Sequence, residues 1–149
     1  MFCPYCKAPD GSACGHTEGI SDANVLAVVQ SRDHVSFAEL ESIFGDAARG
    51  EKAIFAGPLE ANCVIWEGMS PSLLDSVLRL VASNAIVPVR ASLLVYACDG
   101  RWLGLPIAKT DRVFKKPRWL PCVLRPSDRV ARERHRRRSR GDRLVSANG

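Results

Sequence analysis

No uninterrupted apolar run in this chain approaches the roughly 18 residues that a membrane span requires. The first residues also lack the charged and then apolar pattern of a secretory signal. These absences set the expectation of a soluble, non-secreted chain with no membrane partner. Histidine is scarce, with three in 149 residues, and His34 and His135 stand far in sequence from suitable nucleophiles. A glycine-rich phosphate loop is also missing. The chain therefore reads as non-catalytic.

What is present in quantity is charge, and it is segregated. Residues 1–108 hold 7 Lys/Arg against 12 Asp/Glu, a net of minus five, whereas residues 109–149 hold 14 against 4, a net of plus ten. An acidic body thus carries a basic C-terminal third, and a polyanion is the partner that suits such a third. With 46% apolar residues, a chain of this length can close one ordinary core and carry a small appended module. Of the six cysteines, Cys63, Cys98 and Cys122 lie in the apolar contexts NCVIW, VYACDG and WLPCVL. They read as buried thiols, which fits a reducing cytoplasm better than a disulfide framework.

The other three cysteines cluster in MFCPYCKAPDGSACGHTEG. The tetrapeptide C-P-Y-C resembles the active site of glutaredoxins, but there the motif follows a buried strand, and only Met1 and Phe2 precede Cys3. His16-Thr17-Glu18 near a C-x-x-C resembles zinc nucleobase deaminases, yet the order is inverted and no sheet is at hand to support a catalytic pocket. Cys3, Cys6, Cys14 and His16, spaced C-x2-C-x7-C-x-H, remain as a donor set able to satisfy tetrahedral zinc without help from the rest of the chain. The turns C-P-x-C and C-G-H resemble the knuckles of zinc ribbons. That resemblance implies one structural zinc ion, with His34 or Asp10 as substitutes for the fourth ligand; incidental cysteines in a disordered segment are the alternative.

Downstream, Ser21 is placed to cap a helix running to about Arg32, and Ser36-Phe37-Ala38-Glu39 forms a capping box for a second helix ended by Gly45. A weak pattern over 46–60 suggests a third short helix, ended at Gly57-Pro58, and Asn62 to Trp66 reads as a buried strand. Ser70-Pro71 opens the clearest helix, to about Ser83, with Leu73, Leu74, Val77, Leu78, Leu80 and Val81 inward and Ser72, Asp75, Ser76, Arg79 and Ser83 outward. Ile86 to Val89 then reads as a strand. Leu93 to Cys98 and Arg101 to Ile107 flank Asp99-Gly100, a hairpin signal. In order, these elements resemble a winged helix-turn-helix domain with that hairpin as its wing. The resemblance, over about 21–107, implies an α+β, winged-helix-like domain, read as 21–125 between a zinc knuckle at 1–20 and an arginine-rich arm at 126–149.

In the basic third, Lys109, Arg112, Lys115, Lys116 and Arg118 form a loop with Phe114 and Trp119 among them, a composition suited to gripping phosphates while an aromatic stacks on a base. Trp119 to Leu124 is expected to return to the core as a strand. The tail that follows contains Arg129, Arg132, Arg134, Arg136, Arg137, Arg138 and Arg140. It has almost no apolar residue to dock with, so it reads as mobile when free and helical from Ser127 to Gly141 once neutralised. Arginine's planar fork matches phosphate bidentately. The combined expectation is a nucleic-acid-binding protein, for DNA before RNA. The alternative is a protein-interaction or inhibitor module whose acidic body binds a protein or nucleoprotein partner.

Overall fold

Ser21 caps the first helix: its hydroxyl accepts from the Asn24 amide at 3.1 Å and opens α1 (Asp22–Arg32), which buries Val25, Val28 and Val29. The computed structural model describes residues 20–109 and 112–146, excepting the side chains of 142–146. Asp33 and His34, at φ 51° and 49°, turn the chain into β1 (Val35–Ser36). Ser36 then caps α2 (Phe37–Phe44), accepting from the Glu39 amide at 3.0 Å. Only half of the capping box forms, because the Glu39 carboxylate pairs with Arg32 at 2.7 Å instead.

Gly45, at φ 62°, ends α2 as expected. The third short helix is not formed. A 3-10 turn (Gly45–Ala48) leads into β2 (Arg49–Phe55), which pairs antiparallel with β3 (Cys63–Met69). The weak helical pattern yields here to pairing with a strand that is buried over Cys63 to Trp66, a long-range term that local propensity does not contain. Gly50 makes the pairing possible, since a Cβ there would lie 2.7 Å from the Met69 carbonyl oxygen and 2.8 Å from Ser70 Cα. Gly50→Ala should cost about 1–3 kcal/mol, read as a lower denaturant midpoint; an unchanged midpoint would show that this junction can open.

Ser70 caps α3 (Pro71–Ala82) by accepting from the Leu73 amide at 3.2 Å, and Pro71 occupies the first turn. Leu73, Val77 and Leu80 face inward as read from the sequence. Two positions are exchanged: Ser76 is 1% exposed and Leu78 is 46% exposed. Ser76 lies where α3 packs on α1, beside the Asp22–Arg79 ion pair, within 3.5 Å of the Arg79 guanidinium. A small polar side chain fits there.

After β4 (Ile86–Arg90), the expected hairpin is a helix, α4 (Leu93–Asp99), capped by Ser92 and ended by Gly100 at φ 77°. Asp-Gly serves as a helix stop because the helix gains a buried anchor that a strand would not supply. Tyr96 is fully buried, donates to the Cys122 carbonyl at 2.6 Å and accepts from the Phe37 amide at 3.4 Å. The Asp99 carboxylate accepts from the Ser36 hydroxyl. On this helix Cys98 is exposed, against expectation, whereas Cys63 and Cys122 are buried.

The single strand expected over Trp119 to Leu124 is two strands. β5 (Arg118–Trp119) pairs parallel with β3, and β6 (Cys122–Pro126) pairs antiparallel with β1 and β4. Pro121 lies at the break, where the chain passes from one sheet to the other. The sheets are ordered β1-β6-β4 and β2-β3-β5, giving the α+β architecture anticipated. The third helix and the Asp-Gly wing, on which the winged-helix resemblance drew, are absent in that form. A cluster of Trp66, Tyr96, Trp119 and Phe37 fills the middle, with Trp66 to Tyr96 centroids 5.2 Å apart and Tyr96 edge-on to Trp119 at 4.9 Å. Its polar atoms are partnered: Trp119 Nε1 donates to the Ile65 carbonyl, and Trp66 Nε1 donates to buried Glu41, which also pairs with Arg101.

The chain continues from β6 into α5 (Ser127–Ser146). This tail is helical over Ser127–Ser146, and Val130, 8% exposed, docks it to the body. One apolar residue and one ion-pair network suffice for a segment expected to have no docking contact. Among the described residues no helix is long and apolar enough to cross a membrane.

Candidate nucleic-acid interface

The arginine helix is held by an arginine that it does not expose. Arg125, at the end of β6, has a side chain 7% exposed. Its guanidinium donates to both Asp33 carboxylate oxygens at 3.0 Å and to both Glu133 oxygens at 2.8 Å. The strained Asp33–His34 corner and α5 are thereby joined through one buried cation. Hydrogen bonding from Arg125 holds the Asp33 carboxyl below its usual range, against the opposing effect of burial, and holds Glu133 low in the same way. Arg125 is held charged in return, by Glu133 first and Asp33 second.

Arg129 donates to the Gln30 carbonyl at 2.9 Å and lies 3.7 Å from Asp33. Arg132 pairs with Asp128, whose carboxyl it lowers. These two are partly committed to holding the helix. Arg134, Arg136, Arg137, Arg138 and Arg140 are exposed, and among the described residues none has an ion-pair partner. Every residue from Ala131 to Arg138 is exposed, so this stretch presents cations around its circumference. At about 1.5 Å rise per residue, Arg134 to Arg140 covers about 9 Å, a length over which duplex DNA carries about five charges.

The second basic element is anchored elsewhere. Within the loop, the Phe114 amide donates to the Ala61 carbonyl at 2.9 Å, Asn62 Nδ2 donates to the Phe114 carbonyl at 2.8 Å, and the Arg118 amide donates to the Asn62 carbonyl at 2.8 Å. Lys109, Arg112, Lys115, Lys116 and Arg118 are all exposed. The aromatics among them are not available for stacking as expected: Trp119 is 1% exposed, and Phe114 is half-buried with Arg118 lying 5.0 Å from its ring centroid. Hydrophobic burial claims these rings first. The exposed aromatic among the described residues is Trp102, 61% exposed, which no sequence pattern singled out.

Cys3, Cys6, Cys14 and His16 lie outside the described residues, as does Asp10. His34, the other substitute ligand, sits with Nδ1 3.6 Å from Asp33. Among the described residues no group of three His, Cys, Asp or Glu is placed to hold a metal. Helix α3 offers no spare cation, because Arg79 donates twice to Asp22 at 2.9 Å, lowering that carboxyl. Burial pushes the Cys122 thiol up to about 11, with Cys63 nearby adding to the effect, which disfavours the thiolate there.

No protein-family model, curated protein or solved structure matches this chain.

Proposed function

We propose that this is a non-catalytic nucleic-acid-binding protein, for DNA before RNA, whose α5 arginines and 109–118 loop contact phosphates. The observation that carries the reading is the set of exposed α5 arginines without ion-pair partners among the described residues, on a helix whose neighbouring carboxylates Asp33 and Glu133 are spent on Arg125. Such a surface gains free energy by releasing counterions from a polyanion. It requires no particular base sequence.

A winged-helix-like role for the body is supported by sheet order. In β1-β6-β4 the first short strand pairs with the last, which pairs with the middle one. On that reading α3 stands in the place of the second helix of a helix-turn-helix, the β2–β3 pair is an insertion before it, and the β4–β6 connection replaces the wing. That connection contains the basic loop, whereas α3 has its one arginine neutralised. Contact through the wing region and α5 therefore fits the charges better than groove reading by α3. Titrating the full chain with naked DNA and RNA across a salt series tests the proposal. Absence of salt-dependent binding to either overturns it and favours a protein partner for the acidic body.

The cysteine-rich segment is proposed to carry one structural zinc, held by Cys3, Cys6, Cys14 and His16. Elemental analysis of protein made under reducing, zinc-replete conditions should give one zinc per chain, and its absence would end the idea. A Cys3→Ser/Cys6→Ser variant should lose the metal while the body stays folded, since Val25, Phe37, Trp66, Leu73 and Trp119 pack into one core cluster among themselves.

A further inference from the structure

Trp102 exposes a large apolar ring in a part of the chain that is otherwise well anchored. Its neighbour Arg101, though 45% exposed, pairs with buried Glu41 and lies 5.6 Å from the Trp66 ring centroid. This contact fixes the backbone from which the indole projects. Open clefts adjoin the indole: one of about 250 Å³ lined by Ala97, Gly100, Arg101 and Trp102, the other of about 270 Å³ lined by Trp102 with Leu93, Leu105, Ile107 and others. Space is open beside Gly100 and Gly104, where a Cβ would meet nothing within 4 Å.

Cations are tied to the backbone of the second cleft's lining and of the residues that follow it. Arg118 donates to the carbonyl of Ile107, a lining residue, at 3.4 Å. Two residues on is exposed Lys109, whose carbonyl accepts from Arg90 at 2.9 Å. An apolar ring with free space beside it, and cations held on the backbone of a residue that lines that space, is complementary to a base attached to a phosphate. Such recognition needs a base whose face is free. We propose that Trp102 is the stacking platform for an unpaired base of single-stranded nucleic acid, with Arg118, Lys109 and Arg90 taking the adjoining phosphates. This rests on the nucleic-acid reading and extends it from phosphate contact to a preference for single strands.

The full chain, with Trp102→Ala and Trp102→Phe variants, is titrated with a fluorescein-labelled oligothymidylate of about 20 nucleotides and with a duplex of the same length. Stacking predicts that Trp102→Ala weakens single-strand binding about 10-fold, that Trp102→Phe stays close to the parent, and that duplex binding is unchanged in both. Tryptophan emission should be quenched by unlabelled oligothymidylate in the parent and not in Trp102→Ala, because Trp66 and Trp119 are 0% and 1% exposed. Equal single-strand affinity in parent and Trp102→Ala overturns the inference, as does an equal loss on both oligonucleotides or a parent that binds duplex alone; salt-dependent binding then leaves the broader reading standing. A parent that binds neither DNA nor RNA overturns both.

Discussion

Between about 50 and 200 mM salt, the intact protein should lose about 500-fold in affinity for duplex DNA. That loss corresponds to a log-log slope of about minus 4.5, from about 0.9 for each of about five phosphates neutralised. The estimate follows from Arg134, Arg136, Arg137, Arg138 and Arg140, which have no ion-pair partner among the described residues to surrender before they meet a phosphate. Replacing all five with glutamine keeps helix propensity nearly constant and leaves Val130 and Glu133 docked. The slope should then fall close to zero, any small remainder being the share of the 109–118 loop, while the thermal midpoint barely moves. This is a cleaner experiment than ending the chain after Pro126, because truncation also removes Glu133 from Arg125 and Val130 from the body. A variant with the parent's affinity and slope would assign the binding to the folded body rather than to α5.

Arg125→Met should release α5 and lower the thermal midpoint by about 5 °C, from about 2 kcal/mol lost when Asp33 is left without its buried cation. The figure lies below the usual cost of a broken buried pair because solvent reaches the Glu133 arm, whose side chain is 50% exposed. The same clamp makes stability depend on pH. Both carboxyls are held below their ordinary values by Arg125, so their contribution is complete above the unfolded carboxylate range and drains as pH falls through the lower folded values. Helix content should therefore hold from neutrality to about pH 5 and decline below about pH 4. Arg125→Met should flatten that acid transition. Circular dichroism through the acid range reads both effects; an Arg125→Met variant with the parent's midpoint and acid profile would show that Val130 alone docks the helix.

Element boundaries fixed by side-chain chemistry within one turn were legible. Ser21, Ser36 and Ser70 cap the helices that follow them, and Gly45 ends the one before it, because each signal acts through backbone groups only a few residues away. The Asp99-Gly100 signal was ambiguous in principle, since Gly at positive φ serves a hairpin and a helix stop equally well. Tyr96 decided between them by reaching Cys122, 26 residues on. β2 was missed for a similar reason: its partner strand lies across a turn, and its own pattern of four exposed residues before a buried one carries no strong period.

The basic residues of the site could be read from composition, and they are exposed where the structure describes them. Their availability could not. Whether an arginine is free depends on which carboxylates lie near it in space: Arg125 and Glu133 are eight residues apart, but Asp33 is 92 residues from Arg125. Likewise Phe114 and Trp119 had the right spacing for a stacking loop and were taken by the core, while Trp102 was left outside.

The sequence by itself determined the capped helices, the burial of Leu73, Val77 and Leu80, and the opposition of an acidic body to a basic third, because caps, helical periodicity and net charge are local or additive. Tertiary structure alone decided that the Asp-Gly segment is a helix, that the chain from Trp119 divides between two sheets, that the arginine tail is docked, and which cations and which indole face solvent. Each of those outcomes turns on a contact between residues distant along the chain, whose partner is set only when the core closes.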